Sequence, residues 1–260
     1  MSKTTKIVSA SALVLVASAV AVKIFFFPSV NDKYFQINPV KLRQVPSGLV
    51  VVRPTHFPDS LGRSSPPGMT QIRVKNAMWM VGRNLSFQQL IAVAYQYSPG
   101  RIVFPPDAPK GNFDLLVTVS KDPEAHLQAA VRQKLGYAAQ RETRDTDVLV
   151  LKVEDPNSPG LKVSTAAKGN IAPKHDRLYF TRMQLSVVTD GLEQMLKTPV
   201  VDKTGLTNYY DFSLAWDRQT QQQIQNNTLD KETGKKILAE WGLGLEPDTA
   251  SLEMLVVKKL

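Results

Sequence analysis

The residues of this chain whose types could do chemistry are few and scattered. The sharpest cluster is Asp202-Lys203-Thr204-Gly205-Leu206-Thr207. It approaches the aspartyl-phosphate motif D-K-T-G-T-L-T, in which an aspartate takes up a phosphoryl group. One residue of that motif is missing between Gly205 and Leu206, and no Gly-Asp-Gly follows to hold the metal such chemistry needs. Lys203 separates Asp202 from Thr204-Gly205, so the block is not the Asp-Thr-Gly of an aspartic protease either. A turn explains Asp202, Thr204 and Gly205 better: the aspartate can accept backbone N–H bonds and the glycine permits a positive φ. His56, His126 and His175 are the only histidines, and there is no cysteine. None of the three has a second His or Cys at ligand spacing, so a zinc site would need ligands converging from distant segments. They read as ordinary surface residues. No G-x-S-x-G, H-E-x-x-H or Gly-rich phosphate loop occurs. Arg141-Glu142-Thr143-Arg144-Asp145 reads as a charged hairpin turn with a solvated face. Tyr209, Tyr210 and Trp216 could stack a base or a sugar. However, Tyr210, Phe212, Leu214 and Trp216 alternate with Asp211, Ser213 and Ala215, which puts Tyr210 and Trp216 on the apolar face of a strand. No catalytic constellation, cofactor site or metal site is legible.

The elements that would position these residues recur along the chain. Met78 to Val81 reads as a strand. Ser86 and Gln89 form a capping box ahead of a helical stripe, Phe87, Leu90, Ile91, Ala94 and Tyr95. Arg101 to Phe104 is a short strand, and Phe113, Leu115, Val117 and Val119 alternate along the next. Asp122-Pro123 opens a second helix with Leu127, Ala130, Val131 and Leu135 on one face, closed by Gly136. Tyr137 to Thr143 and Val148 to Val153 read as a hairpin. The same order returns downstream. Leu178 to Thr181 is a strand, and Leu185, Val188, Leu192, Met195 and Leu196 form a helix stripe. Pro199 to Trp216 supplies a short strand, a turn and a longer strand. Ile237, Leu238 and Trp241 mark a second helix. Leu243 to Glu246 and Leu252 to Val257 read as a closing hairpin. Leu85-Ser86 matches Leu185-Ser186, Phe113-Asp114 matches Tyr210-Asp211, Leu135-Gly136 matches Leu243-Gly244, and Val148 to Lys152 matches Met254 to Lys258. The pattern predicts an α+β fold of tandem duplicated small domains, each with two helices packed on a mostly antiparallel sheet. Each half is short, so the two are expected to pack on each other. The expected boundaries are a strand and Pro-rich loop over 29–76, a first repeat over 77–153, a linker rich in Pro, Gly, Ser and Lys over 154–177, and a second repeat over 178–260.

The 260 residues carry a net charge of +9, from 32 Lys and Arg against 23 Asp and Glu. Such a bias suits anionic lipid, cell wall or nucleic acid, and equally a soluble basic surface. Lys3 and Lys6 precede an apolar run from Ile7 to Val22, which Ile24 to Phe27 extends beyond Lys23. This describes an export signal. Ala17-Ser18-Ala19 and Ala19-Val20-Ala21 fit a small-x-small cleavage rule. The run from Ile7 to Phe27 is also long enough to span a bilayer, for which about 20 residues suffice. Residues 1–28 are therefore expected to form an uncleaved signal anchor, with a cleaved signal peptide as the alternative. The basic start keeps the first residues cytoplasmic and places the bulk of the chain in the periplasm or outside the cell.

Together these motifs resemble the Soli paralogous family, exported bacterial proteins of unknown function. The resemblance is carried by Leu90, Ile91, Ala94 and Tyr95; by Phe113, Asp114 and Val117; by Arg141 to Arg144; by Pro199 to Trp216, the most specific block; by Leu243 to Glu246; and by Leu255 to Val257. It covers about residues 48 to 258. In element order and helix spacing the repeat is also similar to the short N-terminal modules of secretins and TonB-dependent transducers. Two departures stand out: a Pro-rich segment follows the first strand where the family has a Gly-rich one, and no Trp lies in the Pro-rich turn near Pro106. The resemblance implies an extracytoplasmic protein without an assigned biochemical role. The expected function is a non-enzymatic, membrane-anchored module that binds a protein partner in the cell envelope, without cofactor or nucleic acid, small-molecule ligands being undetermined. The alternatives are an envelope enzyme or cell-wall-binding protein, or a regulator acting with a membrane peptidase.

Overall fold

The computed structural model describes residues 30–57, 68–215, 217–225 and 229–260. The expected N-terminal anchor and Trp216 lie outside the described residues. In chain order the first elements are α1 (Pro39–Leu42), β1 (Val50–Pro54), β2 (Gly68–Val74), β3 (Ala77–Ser86), α2 (Phe87–Tyr95), β4 (Ile102–Val103), β5 (Asn112–Val117), α3 (Pro123–Leu135) and β6 (Tyr137–Val153). Then follow β7 (Lys162–Val163), β8 (Asn170–Lys174), β9 (Arg177–Gln184), α4 (Leu185–Leu196), β10 (Val200–Asp202), β11 (Tyr209–Ala215), α5 (Arg218–Gln225), α6 (Lys231–Glu240) and β12 (Leu243–Lys259). The fold is mixed α and β. Among the described residues no helix is long and apolar enough to cross a membrane.

Among the described residues three four-stranded sheets form the frame, in the orders β1-β5-β3-β2, β7-β11-β9-β8 and β10-β6-β12-β4. The first two are antiparallel and of like construction. In each, a two-residue turn (Lys75-Asn76 and His175-Asp176) joins an edge strand to the strand that leads into a helix, with φ of 54° at Lys75 and 56° at His175. Positive φ at the first turn residue matches the twist of a tight hairpin. In each, a residue of positive φ then breaks the ladder, Asn84 at 54° and Arg182 at 55°. The amide of the first donates to Asp114 Oδ1 at 3.1 Å, that of the second to Asp211 Oδ1 at 2.9 Å. This accounts for an aspartate in the middle of each apolar strand: it holds the N–H group that the irregular strand leaves unpaired.

The third sheet ties these two together. β6 and β12 are each 17 residues long and pair antiparallel from end to end, Tyr137 with Lys259 and Val153 with Leu243. The two hairpins expected over 137–153 and 243–257 are therefore not formed. Nothing in 143–147 demands a positive φ, so the polar stretch continues as strand instead of turning. Pro247 lies in a strand stretch whose far side carries no partner, where its missing N–H costs no ladder bond. Each long strand runs through two cores. Tyr137 packs with the helices α2 and α3, while Leu149 and Leu151 at the other end of β6 pack with α4 and α6. Leu243 and Leu245 of β12 belong to the second core, Leu255 and Val257 to the first. Neither half closes its core alone.

Other expectations need correction. Residues 154–177 are not an unstructured linker, since they supply the edge strands β7 and β8. Pro173 and the polar residues of that stretch suit an edge, where one row of backbone groups faces water. Asp122 does not cap α3 through its side chain. It sits at φ 46°, and its carbonyl receives His126 N. Ser86 caps α2 in a capping box with Gln89, whereas Gln184 stands at the cap of α4, so Leu85-Ser86 and Leu185-Ser186 do not hold equivalent places. The left-handed glycine that follows α3 is Gly136, and its counterpart after α6 is Gly242, not Gly244.

Candidate functional site

The turn residues behave as a local unit. Asp202 Oδ1 accepts Thr204 N at 2.8 Å and Thr204 Oγ1 at 2.6 Å, Thr204 Oγ1 accepts Leu206 N at 3.2 Å, and Gly205 has φ 69°. One carboxylate oxygen of Asp202 and the Thr204 hydroxyl thus hold the turn, the structural role expected of these residues. Leu90, Ile91, Phe113, Leu192, Tyr210 and Phe212 are all buried in the two helix-facing cores. Tyr95 packs beside the first and its hydroxyl accepts Ala139 N at 3.0 Å. Tyr210 and Phe212 are therefore occupied with each other and with Trp241, ring centroids 6.0 and 4.7 Å apart, and cannot stack a base.

One linked set of titratable groups escaped the sequence reading. Asp114 has no solvent exposure and accepts Thr55 Oγ1 at 2.7 Å, His56 N at 2.9 Å and Arg53 Nε at 3.4 Å, besides Asn84 N. Arg53 also donates to Val30 O and Asp32, and lies over the Phe35 ring at 4.1 Å. His56 Nδ1 is 3.1 Å from Asp32 Oδ1. The bond from Arg53, and less so that from His56, holds the Asp32 carboxyl below its ordinary value. The group straps residues 30–35 to the first sheet. Among the described residues it brings no nucleophile to His56, and no cluster of three metal-ligating side chains forms. Its only sequence signal is the aspartate in Phe113-Asp114.

Among the described residues, two outer surfaces stand open to a partner. The first is a groove of about 600 Å3 where the halves meet, lined by Met78 and Met80 of β3, Val93 of α2, Gln96, Glu124 and Asp190 of α4. Gln96 Nε2 donates to Glu124 Oε1 there at 2.6 Å. Beside the groove Arg101 Nε meets both oxygens of Glu193 at 3.0 Å, and Glu193 also accepts Val200 N. The second surface is the outer face of the sheet β7-β11-β9-β8. On the first sheet the matching face is covered: Val30, Phe35, Leu42 and Val45 pack on Val51, Trp79, Val81 and Leu116. On the second, Tyr179 stands between Ala172 and Ser213, its register partners, and is 40% exposed. Tyr209 is also exposed.

A family model described as "Protein of unknown function (DUF3738)" matches residues 88–260. No curated protein and no solved structure matches the chain.

Proposed function

The chain belongs to the DUF3738 family, whose description names no activity, and from the geometry we propose that it is a non-enzymatic binding module, anchored in the cytoplasmic membrane by residues 7–27, that docks a protein partner of the cell envelope. The observation that carries this reading is the outer face and edge of the second sheet, which no described residues cover as residues 30–45 fill the matching face of the first sheet. Antiparallel addition of a partner strand along β8 satisfies the unpaired backbone groups of that edge, and Ala172 and Tyr179 give the partner side chains a floor. We further read the two halves as a tandem duplication. The like sheet orders, the aspartates at 114 and 211 and the matched positive-φ residues support it.

A photoreactive benzoylphenylalanine placed at Ala172 or Tyr179 of the intact chain in its own membranes tests the docking face. The expected result is a discrete cross-linked protein from these positions and none from Val40, which is exposed on α1. Equal labelling from all three, or none, removes the reading. The anchor is tested separately: N-terminal sequencing of the membrane-bound protein is expected to find residues before Ala17, and a soluble protein starting at Val20 or Val22 overturns it.

A further inference from the structure

Between α4 and α6, on the inner face of β9 and β11, lies a cavity of about 310 Å3. Its walls carry side chains such as Phe180, Val188, Leu192, Met195, Phe212 and Leu238. Trp241 also lines it, and the one polar atom of that side chain is engaged elsewhere, Nε1 donating to Ser213 O at 2.7 Å. No lining side chain has a hydrogen bond to offer. Ile171 and Val187 line the cavity and are 52% and 48% exposed, so they mark its mouth.

The first half packs its helices differently, and the residue types show why. α3 turns Leu127, Ala130 and Val131 toward its sheet and packs against α2. α6 turns Gly234, Ile237 and Leu238 inward at the same spacing, so a glycine stands where α3 has a leucine. Gly191 of α4 lines the opposite wall. Glycine is the poorest helix former after proline, and packing does not require it at either place. A Cβ on Gly234 would meet nothing closer than Leu229 at 3.6 Å, and one on Gly191 nothing closer than Met195 at 3.9 Å. Both glycines therefore keep open a space that ordinary side chains could fill.

We propose that this cavity takes up a single hydrocarbon chain, as carried by a fatty acid or a membrane lipid. Water is a poor occupant, because it finds no polar partner on the walls. A peptide backbone would bury N–H and C=O groups with nothing to pair them. An apolar cavity of about 150 Å3 accepts a benzene ring, and this one is twice that, which suits a chain better than one ring. Its place on the inner face of the sheet makes the proposal independent of the docking face on the outer side.

Trp241 provides the readout. The full chain, held in an amphipathic polymer, is titrated with 11-bromoundecanoic acid, whose bromine quenches an indole it touches. The expected result is saturable quenching, reversed by dodecanoate, and a higher Tm with dodecanoate bound. Gly234→Leu fills the space and is expected to weaken binding at least tenfold while keeping a Tm at or above that of the unaltered chain. Gly191→Leu fills it from the other wall and serves if the first variant does not fold. Trp241→Phe should remove the Trp241 share of the quenching yet keep the Tm shift. Saturation by the free acid assigns fatty acids, and quenching only by vesicles of bromine-labelled phosphatidylcholine assigns bilayer lipid. Absence of saturable quenching from both, unchanged quenching in a folded filled variant, or protection only by an apolar peptide overturns the proposal.

Discussion

At the scale of residues, Asp114 and Asp211 show how one motif can carry unequal loads. Both receive the amide of a residue with positive φ. Asp114 is fully buried and also receives Thr55, His56 and Arg53, whereas Asp211 is half-buried and receives the Arg182 amide. Asp114→Ala strips the buried acceptor from the amides of Asn84 and His56 and from the Thr55 hydroxyl, leaves Arg53 with its bond to Asp32 alone among carboxylates, and should cost about 3–5 kcal/mol. Asp211→Ala should cost about 1 kcal/mol, the net value of an ordinary hydrogen bond. Urea unfolding measures both, and equal losses would show that burial does not set the difference. Asp32 adds a pH dependence. Its carboxyl is lowered in the fold, chiefly by the bond from Arg53. Its contribution is therefore fully present above the ordinary aspartate value of 3.8 and is lost as the pH falls through the lowered value. The urea midpoints of the unaltered chain and Asp32→Asn should differ at neutral pH and converge in acid. A difference that persists at the lowest pH would assign it to something other than the charge. The sequence shows the Phe-Asp and Tyr-Asp pairs, but not their load, because Arg53 and Thr55 reach Asp114 from about sixty positions away.

At the scale of elements, local signals read well and long-range pairing did not. The capping box at Ser86, the alternation through Phe113 and Tyr210 and the left-handed turn at Gly205 are all set by neighbours within a few residues. The ribbon of β6 and β12 is set by a partner strand about a hundred residues away, and a polar stretch such as Arg141 to Asp145 looks the same in a solvated ribbon as in a turn. The register gives a direct check. Asp145 and Ser251 face each other at the middle of the two strands. Opposed antiparallel residues have Cα atoms about 4.5–5.5 Å apart, within the range a disulfide spans. The chain has no cysteine to compete. Asp145→Cys combined with Ser251→Cys should close an intramolecular disulfide on mild oxidation, visible as a mobility shift that reductant removes. Two separate hairpins would keep these positions apart and give none.

At the scale of the whole molecule, the exchange of strands makes two small sheets into one cooperative body. The second core needs Leu149 and Leu151, which come from β6 in the first half, and the first core needs Leu255 and Val257 from β12. The short parallel pairs repeat the exchange, β10 beside β6 and β4 beside β12. Glu193 adds a clasp: it is nearly buried and holds Arg101 from the first half together with the amide of Val200. Glu193→Ala removes the acceptor of the Val200 amide and frees Arg101, which is part-exposed and can turn to water, and should cost about 1–3 kcal/mol. Because the cores are shared, that loss should lower one common Tm and not split the transition. Calorimetry should show a single peak whose calorimetric and van't Hoff enthalpies agree, in the unaltered chain and in the variant. The sharper check is dissection. A fragment of residues 178–260 contains α4, β11 and α6 but lacks β6, so two of the leucines that close its core are absent. It should remain unfolded alone by circular dichroism and acquire dispersed amide resonances when residues 30–177 are added in trans. A fragment that folds by itself would mean that α4 and α6 close over β9 and β11 without the borrowed strand.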